Sequence, residues 1–210
     1  MLNEHQRTGL LFIVSAPSGA GKTSLVRELT KTKKDLQLSI SHTTRKSRKK
    51  EKHGEDYFFI SRQLFSEMEN NDEFLETATV FGNKYGTSKQ LIKETLDSGR
   101  SMVLDIDWQG ARELKKSSYN SVSIFILPPS LKTLNERLRK RGDDPDEIKG
   151  RMQKAIQEIS HYHEYDYVIT NEQFEDSISI LNSIVSSSFY SLNLQKDKLD
   201  QFVSEIIENQ

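Results

Sequence analysis

Residues 9–23 read GLLFIVSAPSGAGKT, an apolar run followed at once by a glycine-rich segment that ends in Lys22 and Thr23. The apolar part, residues 9–16, is rich in strand formers and shows no polar alternation, which is typical of a strand covered on both faces in a parallel sheet. Further short apolar runs, separated by segments with helical spacing, lie at residues 101–106, 122–127 and 167–170. This alternation predicts an α/β fold with a parallel sheet flanked by helices.

Helical spacing of apolar side chains predicts helices over residues 22–29, 88–96, 130–140, 146–162 and 173–183. We expect the core of the fold to comprise residues 1–42 and 88–188. Residues 43–87 are aromatic-rich and β-like at 57–60 and 74–80, and they predict an inserted small mixed α/β lobe. Residues 140–151 contain Gly142 and Pro145, which favours a mobile connection between two helices, acting as a lid.

The last segment of the chain, residues 189–210, is predicted to be a helical extension. Its apolar side chains fall on one helical face, at Leu199, Phe202, Val203, Ile206 and Ile207. That face packs either on this chain or on a second copy of it. The oligomeric state is therefore open, and a homodimer is one alternative.

Composition excludes several classes of protein. With 30 basic and 31 acidic residues among 210, the net charge is -1, so no overall field attracts nucleic acid or an anionic membrane. No apolar run reaches the length of a membrane span. The chain has no cysteine, which excludes disulfides, thiolate metal sites and cysteine nucleophiles. We therefore expect a cytoplasmic protein that binds neither nucleic acid nor membranes.

Residues 16–23 match the phosphate-binding P-loop pattern, except that Ala16 replaces the first glycine. Gly19 and Gly21 allow successive N–H groups to turn toward one anion, and the helix that follows directs its positive dipole end to the same place. Lys22 can reach the β- and γ-phosphates, and the Thr23 hydroxyl can ligate Mg²⁺. The predicted ATP-binding residues of this loop are Ala16, Pro17, Ser18, Gly19, Ala20, Gly21, Lys22 and Thr23. The fold is therefore predicted to be of the P-loop NTPase type.

A P-loop predicts a bound triphosphate but not the reaction. Three classes of P-loop protein are therefore considered: a GTPase switch, a motor or transport ATPase, and a kinase of small phosphorylated substrates. Residues 107–110 read DWQG and resemble the D-x-x-G switch of GTPases, yet no Asn-Lys-x-Asp or Thr-Lys-x-Asp segment that would read guanine is present. We also expect too little room in this chain for the accessory domains of most motor ATPases.

A second anion site is predicted around Arg45 and Arg48, which are three residues apart. Two forked guanidinium groups that converge on one phosphate suit a monoester dianion, and the hydroxyls of Tyr57 and Tyr85 can add donors. The neighbouring lysines at 49, 50 and 52 are interpreted as a solvated basic face. One site for a triphosphate and one for a monophosphate indicate phosphoryl transfer between nucleotides.

The motifs, in chain order, are SAPSGAGKT at 15–23, SHTTR at 41–45, GEDY at 54–57, EFLE at 73–76, YGTS at 85–88 and LDIDWQG at 104–110. This series resembles the guanylate kinase family of bacterial type, whose members convert GMP and ATP into GDP and ADP in purine nucleotide metabolism. The resemblance covers roughly residues 9–185 and implies ATP and GMP as substrates with Mg²⁺ as the required ion. Acceptance of dGMP is left open.

The resemblance also implies roles for individual residues on the GMP side. It places a base pocket at Ser41, Glu76, Thr87 and Asp107, and a phosphate clamp at Arg45, Arg48, Tyr57 and Tyr85. The chemistry agrees, because one carboxylate such as Glu76 can accept both the N1–H and the exocyclic amine of guanine, while the hydroxyls of Ser41 and Thr87 can donate to O6. Adenine presents an acceptor in place of the N1–H and would leave that carboxylate unpaired.

Asp105 and Asp107 share one face at the end of a predicted strand. The resemblance directs Asp107 to the guanine amine, and Asp105 is the better placed of the two to orient Mg²⁺-bound water or Lys22. Alternatively, either aspartate caps the helix that begins near Gln109. Asn171 matches the adenine-contacting position of the family, the alternative being a cap on the next turn.

Arginines of the lid segment close over the phosphates in the resembling family, and Arg141 and Arg151 are the best matches here. The predicted catalytic residues are therefore Lys22, Arg45, Arg48, Arg141 and Arg151. Arg137 and Arg139 are instead interpreted as helix-surface residues paired with Glu136 or Glu147.

Two alternatives to a GMP kinase remain from the sequence. One is a guanylate-kinase-like module that has lost catalysis and binds protein partners, which the retained Lys22 and Thr23 disfavour. The other is a kinase with a different base specificity, which Glu76, Thr87 and Ser41 disfavour.

Overall fold

A computed structural model describes residues 9–140, 142 and 144–208 of the chain, apart from the side chains of residues 193, 194, 197 and 198. The strands are β1 (Leu11–Ser15), β2 (Leu36–Leu38), β3 (His42–Thr43), β4 (Phe58–Phe59), β5 (Phe74–Val80), β6 (Asn83–Ser88), β7 (Ser101–Asp105), β8 (Ser121–Leu127) and β9 (Tyr167–Thr170). The helices are α1 (Lys22–Thr32), α2 (Arg62–Asn70), α3 (Lys89–Asp97), α4 (Trp108–Leu114), α5 (Leu131–Lys140), α6 (Pro145–Ile159), α7 (Phe174–Ser188) and α8 (Leu192–Glu208).

The core is a five-stranded sheet in the order β2-β7-β1-β8-β9, and all of its paired strands are parallel. The central strand β1 is completely buried from Leu11 to Val14. Its side chains alternate between two apolar clusters, because Phe12 packs with α1 and α7 on one face while Ile13 packs with α3 and α4 on the other. The predicted α/β fold, with a buried parallel strand before the P-loop, is confirmed.

The parallel arrangement determines where chemistry can occur. In β1 and β7, Val14 lies beside Asp105, so both strands end at the same edge of the sheet. The loop after β1 carries the glycine-rich segment, and the loop after β7 carries Asp107. Ligands of open α/β sheets bind at this carboxyl edge. The edge therefore brings together two predicted segments that are more than 80 residues apart in the sequence.

A second sheet, in the order β4-β3-β6-β5, is formed by residues 42–88. Strands β5 and β6 make an antiparallel hairpin in which Glu76 faces Thr87. Helix α2, which the sequence analysis did not predict, covers this sheet through Phe65, whose ring stacks on Phe74 at 4.6 Å. Phe65 is the only buried residue that α2 contributes.

Helix α6 begins one residue before the start predicted for it, at residue 146. Helix α6 already begins at Pro145, so residues 145–150, predicted to be part of a mobile connection, form its first turns. Asp144 caps the helix by accepting the Asp146 N–H, and Pro145 occupies the first turn, where its missing N–H costs nothing. The helix predicted from residue 146 is therefore confirmed, and it overlaps the predicted connection because the Asp-Pro pair signals a helix start as well as a turn.

Residues Leu192–Glu208 form α8, and its apolar residues Phe202, Val203, Ile206 and Ile207 are exposed in this chain. Within the described residues, none of the helices combines the length and the apolarity that crossing a membrane requires.

Candidate functional site

A cleft of about 1080 Å³ opens at the carboxyl edge of the core sheet. Its walls come from the glycine-rich loop, the end of β7, the second sheet and helix α6. The predicted ATP-side and GMP-side residues that line this cleft include Lys22, Thr23, Ser41, Arg45, Arg48, Tyr57, Glu76, Tyr85, Asp105, Asp107 and Arg151. Thr87 and Asn171 lie behind the walls, and Arg141 lies outside the described residues.

The glycine-rich loop has the backbone conformation that an anion-binding loop requires. Gly19 and Gly21 have φ angles of 95° and 100°, in the left-handed region that favours glycine. A Cβ at Gly21 would also overlap the amide of Asn171. Gly21 caps α1, so the helix starts at Lys22 and directs its N-terminal N–H groups into the cleft.

Asp105 holds the two functional side chains at the end of this loop. Its Oδ1 lies 2.7 Å from Lys22 Nζ, and its Oδ2 accepts a hydrogen bond of 2.8 Å from the Thr23 hydroxyl. Lys22 also donates to the carbonyl of Ile106 at 2.8 Å. Asp105 therefore orients Lys22, as one of the sequence hypotheses proposed, and it does not cap a helix.

The donor set beside the loop fits a magnesium ion. The Thr23 hydroxyl and the Asp105 carboxylate are hard oxygen ligands, which Mg²⁺ prefers. Among residues 9–140, 142 and 144–208, no three His, Asp or Glu side chains form a group that could hold a metal. Few protein ligands are typical of Mg²⁺ that completes its shell with nucleotide phosphates and water.

The loop is braced from behind by two groups that approach the carbonyl of Ala20. Asn171 Nδ2 donates to this oxygen at 2.7 Å, and Arg137 Nη1 donates to it at 3.1 Å. Arg137 Nη2 also donates to the Asn171 carbonyl at 3.1 Å. The interpretation of Arg137 as a surface residue paired with Glu136 or Glu147 was therefore wrong, because its guanidinium turns toward the loop instead.

Helix α6 contacts the loop at Ser18. Arg151 Nη1 donates to the Ser18 hydroxyl at 2.9 Å, and the Ser18 N–H donates to Glu158 at 3.3 Å. Burial raises the pKa of the Glu158 carboxyl. The sequence analysis named Arg151 but missed Glu158, because an acid on a charged helix resembles any solvated residue.

On the opposite wall, Arg45 is held by Glu51. Arg45 Nη1 and Nη2 donate to the two carboxylate oxygens of Glu51 at 2.9 and 3.0 Å, and the Arg48 N–H donates to the same carboxylate at 2.8 Å. Burial alone would raise the pKa of Glu51, but the bonds from Arg45 and Arg48 lower it below its usual range. Glu51 therefore carries a fixed negative charge that fastens both arginine positions, a contact that the sequence analysis missed.

The tyrosines flank this arginine pair. The Arg45 guanidinium lies 5.3 Å from the centre of the Tyr57 ring, and the rings of Tyr57 and Tyr85 meet edge to face at 5.9 Å. Burial raises the pKa of Tyr57, so its hydroxyl remains a hydrogen-bond donor at neutral pH. The wall thus presents two cationic groups and two phenols toward one region of the cleft.

Glu76 is the buried acid of the site, with only 3% of its surface exposed. Thr87 donates a hydrogen bond of 2.5 Å to Glu76 Oε1 across the β5–β6 pair. Burial raises the pKa of Glu76 to about 7, with the Thr87 bond opposing the shift and the charge of Asp107 adding to it. The Thr87 hydroxyl, predicted to donate to guanine O6, is directed to Glu76 in this structure.

Asp107 caps helix α4. Its Oδ1 accepts the N–H groups of Gln109 and Gly110 at 3.0 and 3.1 Å, and its Oδ2 accepts from the Gln109 side chain at 2.8 Å. The capping alternative therefore holds for Asp107, while its predicted contact with a guanine amine stays a prediction.

Because Gly110 has no side chain, the Glu76 carboxylate has room beside α4. A Cβ at residue 110 would overlap the Glu76 carboxylate, since it would lie 2.9 Å from Cδ and closer still to Oε2. Gly110 is the last residue of the DWQG segment that resembles a GTPase switch. In this structure it is required for the close approach of α4 to β5.

We predict opposite effects for two glycine-to-alanine substitutions in helices. Gly150→Ala places its Cβ in open space on α6 and should raise the free energy of unfolding by about 0.5–1 kcal/mol. Gly110→Ala should lower it by about 1–3 kcal/mol, because Glu76 is forced from its hydrogen bond. Urea unfolding of both variants tests this, and a stabilised Gly110→Ala protein would contradict the close packing described.

Comparison with known proteins agrees with this geometry. The profile of the family described as guanylate kinase matches residues 8–188. The chain is 48% identical over 202 residues to the guanylate kinase of Escherichia coli (strain K12), covering 95% of this chain and 98% of that protein. It is 46% identical over 201 residues to that of Pseudomonas fluorescens (strain Pf-5), with the same coverage of each chain.

The crystal structure of guanylate kinase from Anaplasma phagocytophilum superposes on this chain with a TM-score of 0.74 at 34% identity, covering 88% of each chain. A family profile that spans most of the chain, relatives of nearly the same length and a shared fold all agree with the predicted resemblance. The chain belongs to the guanylate kinase family.

Proposed function

We propose that the cleft binds ATP at the glycine-rich loop and GMP at the second sheet, and that the γ-phosphoryl group passes from ATP to GMP to give GDP and ADP. The observation that carries the proposal is the pair of cationic sites facing each other across one cleft, with Lys22 on one wall and Arg45 on the other. Positioning two nucleotides in line is most of what phosphoryl transfer requires.

On the donor side, the N–H groups of residues 18–23 and the ammonium of Lys22 hold the β- and γ-phosphates. Mg²⁺, held by Thr23 and by Asp105 through water, supplies positive charge to the phosphate oxygens when it is bound. Asp105 and the Ile106 carbonyl hold the Lys22 ammonium beside the glycine-rich loop, which limits the reorganisation needed when ATP binds. Asn171 is proposed to contact the adenine from behind the loop.

On the acceptor side, Arg45, Arg48, Tyr57 and Tyr85 are proposed to hold the GMP phosphate. Its oxygen is already anionic at neutral pH, so the attack on the γ-phosphate needs no general base. Arg45 donates from Nη1 to Glu51 and to the Lys46 carbonyl, and from Nη2 to Glu51. Its Nε–H and second Nη2 proton are therefore the donors proposed for a phosphate oxygen, together with the neighbouring Tyr85. Arg141 and Arg151 are proposed to neutralise the charge that develops on the transferred group.

The base is proposed to be read by Glu76 in its ionised form, with Ser41 and Asp107 completing the pocket. Two neighbouring donors of guanine match the two oxygens of one carboxylate. Burial of Glu76 makes an unmatched base costly, because the carboxylate cannot turn to water instead. We also infer a cytoplasmic location, supported by the cysteine-free composition.

The most direct assay mixes the protein, ATP and Mg²⁺ separately with GMP, AMP, UMP and CMP and follows ADP formation. We expect kcat/KM for GMP to exceed that for AMP by about 10⁴ or more, as in sites whose buried polar groups require one hydrogen-bond pattern. Faster turnover with AMP or UMP would overturn the assignment of the base.

Lys22→Ala should lower kcat by about 10²–10³, because the lysine stabilises charge on the phosphates. The matched control is Lys31→Ala on the same helix, since the Lys31 side chain is 70% exposed and pairs with Glu28 on the helix surface. Steady-state rates at saturating ATP and GMP make the comparison. Equal rates for the two variants would mean that the loop does not bind the reacting phosphates.

The KM for GMP should depend on pH through Glu76. With a pKa of about 7 in the free enzyme, Glu76 becomes protonated as the pH falls below 7, so binding must remove a proton and KM should rise about tenfold per pH unit. The phosphate of GMP also titrates near pH 6. Glu76→Gln controls for this, because it retains only the phosphate titration. Identical pH profiles for both proteins would contradict the role of Glu76.

A further inference from the structure

The hairpin that carries Glu76 turns through Phe81 and Gly82, and the first of these residues departs from the usual residue preference of such turns. Val80 pairs with Asn83, so the turn has two central residues, with φ angles of 48° and 73°. Positive φ at both positions is the pattern of type I′ hairpin turns, whose preferred sequence is Asn-Gly. Gly82 fits that preference, whereas a bulky aromatic residue at the first position is strained.

The ring of Phe81 is directed across the cleft to helix α6. Its centre lies 5.0 Å from the guanidinium carbon of Arg151 and 4.3 Å from Nζ of Lys154. Both distances are within the range of cation–π attraction. The contact joins the tip of the second sheet, which forms the acceptor wall, to the helix whose Arg151 donates to Ser18 of the glycine-rich loop.

Burial does not explain why residue 81 is aromatic. Phe81 remains 40% exposed, so its ring adds little to the core of either sheet. A Cβ on its neighbour Gly82 would meet nothing within 4 Å, and the Gly82 carbonyl accepts a hydrogen bond of 2.9 Å from Arg62 of α2, so the Phe81 ring is not needed to fill space at the turn. What the ring specifically provides is an aromatic face to two cations on α6. Departures from local preference of this kind occur mainly at functional positions.

We propose that Phe81 is a positioning residue that holds Arg151 of α6 in place beside the donor phosphates when the acceptor lobe lies against that helix. The inference rests on the proposed function, in which Arg151 neutralises charge on the transferred group. The acceptor lobe thereby contributes to the donor side of the reaction without touching ATP. Loss of the ring should lower the rate of transfer more than it weakens binding of either nucleotide.

Because Asn-Gly is the preferred sequence of this turn, a substitution at Phe81 can separate an effect on activity from an effect on stability. Phe81→Asn creates the preferred Asn-Gly turn, so it should leave the melting temperature unchanged or raise it. The same variant should lower kcat about three- to thirtyfold, the range expected from one cation–π contact, with KM for ATP and GMP changed less. A purely structural role for Phe81 would instead lower stability and activity together.

Three further variants isolate the aromatic face. Phe81→Tyr keeps the face and should retain kcat close to that of the unmodified protein, while Phe81→Leu keeps an apolar side chain and should not. Gly82→Asn alters the same turn but leaves the ring, so its kcat should not change. Equal rates for the Tyr and Leu variants, or a Phe81→Asn protein with full kcat, would overturn the proposal.

The route through Arg151 is tested by a double-mutant cycle. Adding Phe81→Asn to Arg151→Ala should lower kcat by less than about twofold further, because the group to be positioned is gone. If Phe81→Asn lowers kcat in the Arg151→Ala background as much as it does in the unmodified protein, the ring acts elsewhere, for instance through Lys154. That result would overturn this inference and leave the proposed function standing. An Arg151→Ala protein with full kcat would instead remove the proposed role of Arg151, and this inference with it.

Discussion

The contact of Asp105 with Lys22 and Thr23 is the interaction on which the rest of the site depends. A lysine at the end of a glycine-rich loop is useful only if it is held toward the phosphates, and a hydroxyl beside it can serve a metal only if an oxygen partner lies near. Asp105 contacts both side chains because β1 and β7 are parallel neighbours that end at one edge. Neither the apolar strand nor the loop would bind a triphosphate productively without that register.

The opposite wall uses the same principle. Glu51 fixes Arg45 from the side, Thr87 fixes Glu76, and Gly110 admits the carboxylate that any larger residue would displace. Arg45 and Glu76 are thus each held in place by a hydrogen-bonding neighbour. Such preorganisation lowers the reorganisation needed during phosphoryl transfer, which is where an enzyme of the guanylate kinase family must supply most of its catalysis.

The sequence predicted the core sheet and the loop because their signal is local: a continuous apolar run, then glycines, then Lys22. It also predicted that Arg45 and Glu76 would line one cleft, through the resemblance of six ordered motifs, and that Asp105 would face the cleft, through its place at the end of a strand. It missed Arg137, because nothing local separates a surface arginine from one that reaches a carbonyl 117 residues away. It missed Glu51 for the same reason, since an acid within a basic run resembles a solvated charge. Long-range contacts of polar side chains leave no period in the sequence.

A crystal structure of the protein with GMP and a non-hydrolysable ATP analogue would show directly whether the two nucleotides face each other across the cleft. We expect the GMP phosphate within hydrogen-bond distance of the Arg45 and Arg48 guanidiniums, the guanine edge against Glu76, and the γ-phosphate at Lys22 with the two phosphates in line. A GMP phosphate remote from both arginines, or a base that leaves Glu76 without a partner, would contradict that arrangement.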